Sequence, residues 1–147
     1  MSRALDTAQA IAAYHELPVL IEPDLRELEV GDLEGITVEE LGTEFSHHLI
    51  HWREGEGYRK LPGGESLADL KNRVWSAVKN IIDGTNHETI LLVSHYFVIL
   101  TIICAALELP LKTVRRFRIK PGSMSILNFE NIPCLTLLGD TCHYDEN

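Results

Sequence analysis

Residues 90–95 read Ile-Leu-Leu-Val-Ser-His, an apolar run that stops on a histidine, and the stretch behind it, Val98 to Leu107, is apolar enough to pack as a buried helix. A run apolar on both faces has the character of a parallel strand covered by helices. The junction would put His95 at the carboxyl end of a strand, where open α/β sheets bind their ligands. The free backbone N–H groups of a helix start favour an anion at such a place. The strand alone leaves a second reading open, a buried histidine satisfied by a carbonyl. Two other clusters carry chemistry-bearing side chains. The loop Glu22 to Gly35 is dense in acids, with Asp24, Glu27, Glu29, Asp32 and Glu34. His47 and His51 stand one helical turn apart, with His48 and Glu44 close by in sequence, a spacing that can share a metal ion. Adjacent histidines on a polar helix are also commonly just solvated.

The elements that must position these groups follow from periodicity and punctuation. Residues 2–14 read as a helix, with Ala4, Ala8, Ile11 and Ala12 at helical spacing, Ser2 placed to cap, and neither Gly nor Pro. Leu17 to Ile21 is short, extended and β-prone, and leads into the acidic loop. A helical stretch is expected from Thr37, with Glu40 three residues on as in a capping box, running with a break through Trp52. Leu61-Pro62-Gly63-Gly64-Glu65-Ser66 is a turn, its two glycines read as positions needing positive φ. It feeds an amphipathic helix carrying Leu67, Leu70, Val74, Val78, Ile81 and Ile82 on one face, ended by Gly84. Beyond the His95 helix, 116–119, 125–129 and 134–138 read as strands, the first two separated by Pro121-Gly122.

Composition narrows the class. A chain of 147 residues, 45% hydrophobic, has material for one core, so the expectation is one domain over 1–147. A formal net charge of −9, with no basic run longer than Arg115-Arg116, argues against a nucleic-acid surface and against adsorption to anionic lipid. Any anionic ligand must then be held by a few placed cations. The three cysteines, Cys104, Cys134 and Cys142, form no C-x-x-C pair and suggest neither a disulfide framework nor a zinc ribbon. The first residues hold an acid and no long apolar core, so a cytoplasmic protein is expected. Ser94 and His95 interrupt the apolar stretch 90–107, which reads better as strand plus helix than as a membrane span.

Four segments together resemble the histidine phosphatase superfamily, also called phosphoglycerate-mutase-like. They are Ser2-Arg3-Ala4-Leu5-Asp6-Thr7-Ala8; Leu25-Arg26-Glu27-Leu28 followed by Gly31 and Glu34-Gly35; Pro62-Gly63-Gly64-Glu65-Ser66; and Val93-Ser94-His95. Their order and approximate spacing match over essentially the whole chain. The resemblance implies a three-layer α/β/α fold with a mostly parallel central sheet, and a phosphate carried at the strand ends and transferred to a histidine. It casts Arg3 as a phosphate clamp, His95 as the second histidine of the pocket, and Glu27 as the acid that protonates the leaving alkoxide, with Glu29 and Glu34 as rivals in the same loop. The Leu-Arg-Glu wording is that of the phosphatase branch rather than the mutase branch. A small phosphorylated substrate is implied, with no cofactor and no metal.

Two departures stand beside the resemblance. The family nucleophile is the histidine of an Arg-His-Gly motif ending the first strand, and this sequence contains no Arg-His-Gly. Because the likeness begins in mid-motif, the expectation is a chain that lacks the first central strand, with an exposed sheet edge that favours a homodimer. Tyr96-Phe97 occupies positions where the family commonly has two small residues, which would narrow the pocket mouth or add an aromatic wall. Three classes of function remain open: a phosphatase of small esters, of sugar-phosphate or ribazole-phosphate type; a nucleophile-less phosphate-binding or scaffold relative; and a metal protein built on His47, His48 and His51.

Overall fold

The computed structural model describes residues 2–36, 59–86 and 88–144. Helix α1 spans Ser2–His15, one residue longer than the periodicity predicts and including the serine expected to cap it. Its last turn closes with Leu17 N–H donating to the Ala12 carbonyl at 3.0 Å while Glu16 adopts φ 55°. This is the six-residue Schellman arrangement, with Glu in the left-handed position where Gly is the usual choice. None of the α1 residues is fully buried; Ala4, Leu5, Ala8, Ile11 and Ala12 are half-covered.

Helix α2, Leu67–Asp83, has a complete start signal. Ser66 Oγ accepts from Asp69 N–H at 3.1 Å, and the Asp69 carboxylate accepts from Ser66 N–H at 3.1 Å. That reciprocal box satisfies two otherwise orphaned donors. The helix buries Leu67, Leu70, Val74, Ala77 and Val78 and stops at Gly84. Helix α3, Tyr96–Ala106, starts two residues earlier than the apolar run suggests and is buried nearly all round, from Leu100 to Ala106 without a break. It ends in a second Schellman turn, Leu109 N–H to the Cys104 carbonyl at 2.8 Å, with Glu108 at φ 53°.

The core lies between α2 and α3. Leu70, Val74 and Val98 are fully buried there, joined by Leu28, Leu33 and Leu61 from the two loops that precede α2. A smaller cluster of Leu100, Ile103, Cys104 and Val114 covers the other side of α3, closed by the 3₁₀ turn Leu111–Arg116. Strands β1 (Met124–Asn128) and β2 (Cys134–Asp140) pair antiparallel, with Met124 opposite Asp140 and Asn128 opposite Cys134, and register shifts between them.

Several expected elements come out differently. The runs 17–21 and 90–94 are assigned no strand, and parallel pairing is absent among the described residues. A strand exists by virtue of its neighbour, and neither run has one there. Their apolar side chains are correspondingly open: Leu20 is 88% exposed and Leu91 is 62% exposed. Segment 116–119 ends the 3₁₀ turn instead of forming a strand. Of the paired glycines, only Gly63 takes positive φ, at 65°. Gly64 is required by close approach, since a Cβ there would sit 2.3 Å from the Glu29 carbonyl oxygen. The helix expected from Thr37 lies outside the described residues.

Candidate functional site

The site begins where α3 begins. His95 is the N-cap residue of α3, with extended backbone at φ −122° and ψ 166°, and its side chain makes no cap hydrogen bond. Its carbonyl takes the first helical bond, from Ile99 N–H at 2.9 Å, leaving the N–H groups of the first turn without intrahelical partners. The residue is 7% exposed. It meets Arg3, from the first turn of α1, whose Nη2 donates to His95 Nδ1 at 3.4 Å. A guanidinium can only donate, so Nδ1 carries the lone pair and the ring proton resides on Nε2. The carbonyl-satisfied alternative for His95 is therefore not what the structure shows: its one partner among the described residues is a cation.

Burial lowers the His95 pKa below its ordinary value; the charge of Glu27 opposes this and the charge of Arg3 reinforces it. The ring is thus neutral at pH 7. The start of α1, the start of α3 and Arg3 together present positive potential to an incoming anion. Arg3 is exposed and free to fork onto two oxygens of a tetrahedral anion.

The charge of Glu27 acts on His95, and its Oε1 accepts from Leu28 N–H at 2.8 Å. Glu29 and Glu34, the rival acids, are exposed. The main chain of Glu29 is engaged with the turn before α2: its carbonyl accepts from Glu65 N–H at 2.9 Å, and its N–H donates to Glu65 Oε1 at 2.9 Å. On the other side, Ser94 Oγ donates to the Leu25 carbonyl at 2.7 Å, tying the acidic loop to the residue next to His95.

The reading from sequence passed over Arg73. Its side chain, from the middle of α2, is largely covered and paired with Glu65, Nε to Oε2 at 3.0 Å. A signal existed: Arg73 lies eight residues after Glu65, on a helix whose apolar face is otherwise continuous. Of the pair expected to narrow the pocket mouth or add an aromatic wall, Tyr96 donates its hydroxyl to the Phe117 carbonyl at 3.3 Å and meets the Phe97 ring edge-on. His47, His48, His51 and Glu44 lie outside the described residues, and among those described no three His, Cys, Asp or Glu side chains converge as metal ligands. No helix of the described residues is long and apolar enough to cross a membrane.

Known proteins resemble this chain over most of its length. The sequence model of the histidine phosphatase superfamily (branch 1) matches residues 1–137. A Proteus mirabilis protein named "Probable phosphoglycerate mutase GpmB" is 31% identical over 92% of this chain and 63% of its own length, so the chain spans under two thirds of that relative. Among solved structures, the α-ribazole phosphatase of Shigella flexneri superposes with a TM-score of 0.82 at 26% identity, covering 100% of this chain and 73% of that one. A mycobacterial glucosyl-3-phosphoglycerate phosphatase in complex with inorganic phosphate superposes with a TM-score of 0.84 at 25% identity, covering 97% of this chain and 75% of its own. The three-layer α/β/α, phosphoglycerate-mutase-like fold is thereby assigned.

Proposed function

The chain belongs to the histidine phosphatase superfamily, and we propose that its Arg3–His95 crevice receives the phosphoryl group of a small phosphate monoester, of sugar-phosphate or ribazole-phosphate type, for hydrolysis through a phosphohistidine. The observation that carries the reading is the approach of Arg3 Nη2 to His95 Nδ1 across 92 positions of sequence. Phosphoryl transfer asks for positive groups on the equatorial oxygens and a proton for the leaving oxygen. Arg3 supplies the first, His95 adds a hydrogen bond from its ring N–H, and Glu27 supplies the second. In the reaction the P–O bond to the alcohol breaks as an N–P bond forms on a nucleophilic histidine, and the proton of Glu27 goes to the departing alkoxide. Water then attacks phosphorus as the N–P bond breaks, its proton passing to the Glu27 carboxylate left by the first step, and inorganic phosphate is released. Glu27 must be protonated to act, and the bound dianion favours that state.

No Arg-His-Gly occurs among these 147 residues, and the reading assigns the phosphoryl acceptor to none of them. The same observation favours a second reading, a nucleophile-less relative that holds phosphate without turning it over. A cytoplasmic location fits the three cysteines, none of them in a disulfide, and a homodimer would cover the open runs 17–21 and 90–94. Calorimetric titration of the chain with inorganic phosphate tests the site. Saturable binding that Arg3→Ala weakens supports it, and absence of binding refutes it. A rapid-quench search for an acid-labile phosphoenzyme in a longer chain bearing Arg-His-Gly separates the two readings.

A further inference from the structure

The guanidinium of Arg73 has five N–H groups, and each has an acceptor. Nη1 donates to the Asp24 carbonyl at 2.7 Å and the Arg26 carbonyl at 2.9 Å. Nη2 donates to the Glu27 carbonyl at 3.0 Å and to Glu65 Oε1, while Nε donates to Glu65 Oε2. The remaining carbonyl of the tetrad 24–27, that of Leu25, is taken by Ser94 Oγ. Four consecutive carbonyls of the acidic loop are therefore all bound, three by one side chain of α2 and one by the residue beside His95.

From this saturation we infer that Arg73, oriented by Glu65, is the positioning residue for Glu27: it fixes the main chain that carries this carboxyl. The inference rests on the reading of Glu27 as the acid beside a bound phosphoryl group. Glu65 is 8% exposed and holds two of the five donors, so the plane of the guanidinium is set from below and its outer edge is aimed at the loop. A planar fork with five fixed donors does this; an ammonium, with three donors on a single atom, cannot bind three carbonyls and a bidentate carboxylate together.

The test follows Glu27 by ¹³C NMR of its side-chain carboxyl as a function of pH, with and without saturating sulfate, a tetrahedral dianion that does not itself titrate over the range. In the unaltered chain, sulfate raises the Glu27 midpoint by about one pH unit, as an anion placed beside a carboxylate does. Arg73→Lys keeps the charge but loses the fork, and the rise falls to under a third of that value while sulfate affinity stays within about threefold. Ser94→Ala frees only the Leu25 carbonyl and keeps at least two thirds of the rise. A purely structural role would change thermal stability and leave the sulfate response of Glu27 alone. An equal rise in Arg73→Lys overturns the inference, as does loss of the rise in Ser94→Ala, which would give the positioning to Ser94. No rise in the unaltered chain removes the reading of Glu27 itself, and the inference with it.

Discussion

Arg3 and His95 are 92 positions apart in sequence, yet Nη2 of the one lies 3.4 Å from Nδ1 of the other. A cation directed at an unprotonated ring nitrogen is a weak contact, readily exchanged for an anion that both groups can hold. Arg3→Ala is expected to weaken inorganic phosphate binding by about tenfold, the low end of what a charge-assisted hydrogen bond contributes, because Arg3 is exposed to solvent screening. The melting temperature should barely move, since no α1 residue is fully buried. Calorimetry and a thermal melt on the same sample check both halves.

The depressed His95 pKa gives a pH prediction. The folded value lies below the unfolded one, so the unfolded state binds the proton first. His95 therefore adds stability above about pH 6.5, lost as pH falls through the folded value. An anion in the crevice reverses the balance and raises the pKa. Sulfate should move the imidazole midpoint of His95 upward by about one unit, with net proton uptake near neutral pH. Ring-proton NMR titration reads the shift directly, and a downward or absent shift would detach His95 from the anion.

Glu65 governs the acid limb of stability. Burial pushes its pKa up, but hydrogen bonds from Arg73 and from Glu29 N–H, with the charges of Arg73 and Arg26, bring it below the ordinary value. Its stabilisation is fully present above the unfolded pKa of about 4.5 and disappears as pH falls through the lower folded value. Glu65→Gln should cost about 3–5 kcal/mol at pH 7, since it strands a covered guanidinium. It should also flatten the loss of stability between about pH 5 and pH 3. Urea unfolding at a series of pH values measures both effects.

Turnover separates the roles of the two site charges. The 147-residue chain should hydrolyse nitrophenyl phosphate at near-background rates, because the covalent two-step route needs its nucleophile. In a longer chain bearing Arg-His-Gly, Glu27→Gln should slow alkyl phosphates by roughly 10²–10⁴-fold and acidic phenyl phosphates much less. Arg3→Ala should slow both classes alike. Equal losses for the two leaving groups in Glu27→Gln would move the acid role to Glu29 or Glu34.

Core packing offers a control remote from the site. Leu70 is fully buried between α2 and α3, and Leu70→Ala should cost about 2–5 kcal/mol through lost burial and a residual cavity. Phosphate affinity measured well below the melting temperature should be unchanged.

Local patterns were enough to write the three α-helices of the described residues onto the chain. Apolar residues at helical spacing, the absence of Gly and Pro, Gly84 as a stop and the apolar run after His95 gave α1, α2 and α3 to within two residues at their ends, because helix bonds close within four residues. The order of four motifs gave the family, and with it the choice of Arg3, Glu27 and His95. What the sequence could not decide depends on partners far along the chain. The runs 17–21 and 90–94 have strand composition but no neighbour among the described residues, and a strand is a relation between two segments. Gly64 is fixed by the Glu29 carbonyl 35 positions earlier rather than by its own φ. Arg73 shows in sequence only its spacing of eight residues from Glu65, which does not name its partners. Only the tertiary structure brings it to three carbonyls and a covered carboxylate, because five fixed donors find five acceptors only once the acidic loop, the turn at Glu65 and α2 have met.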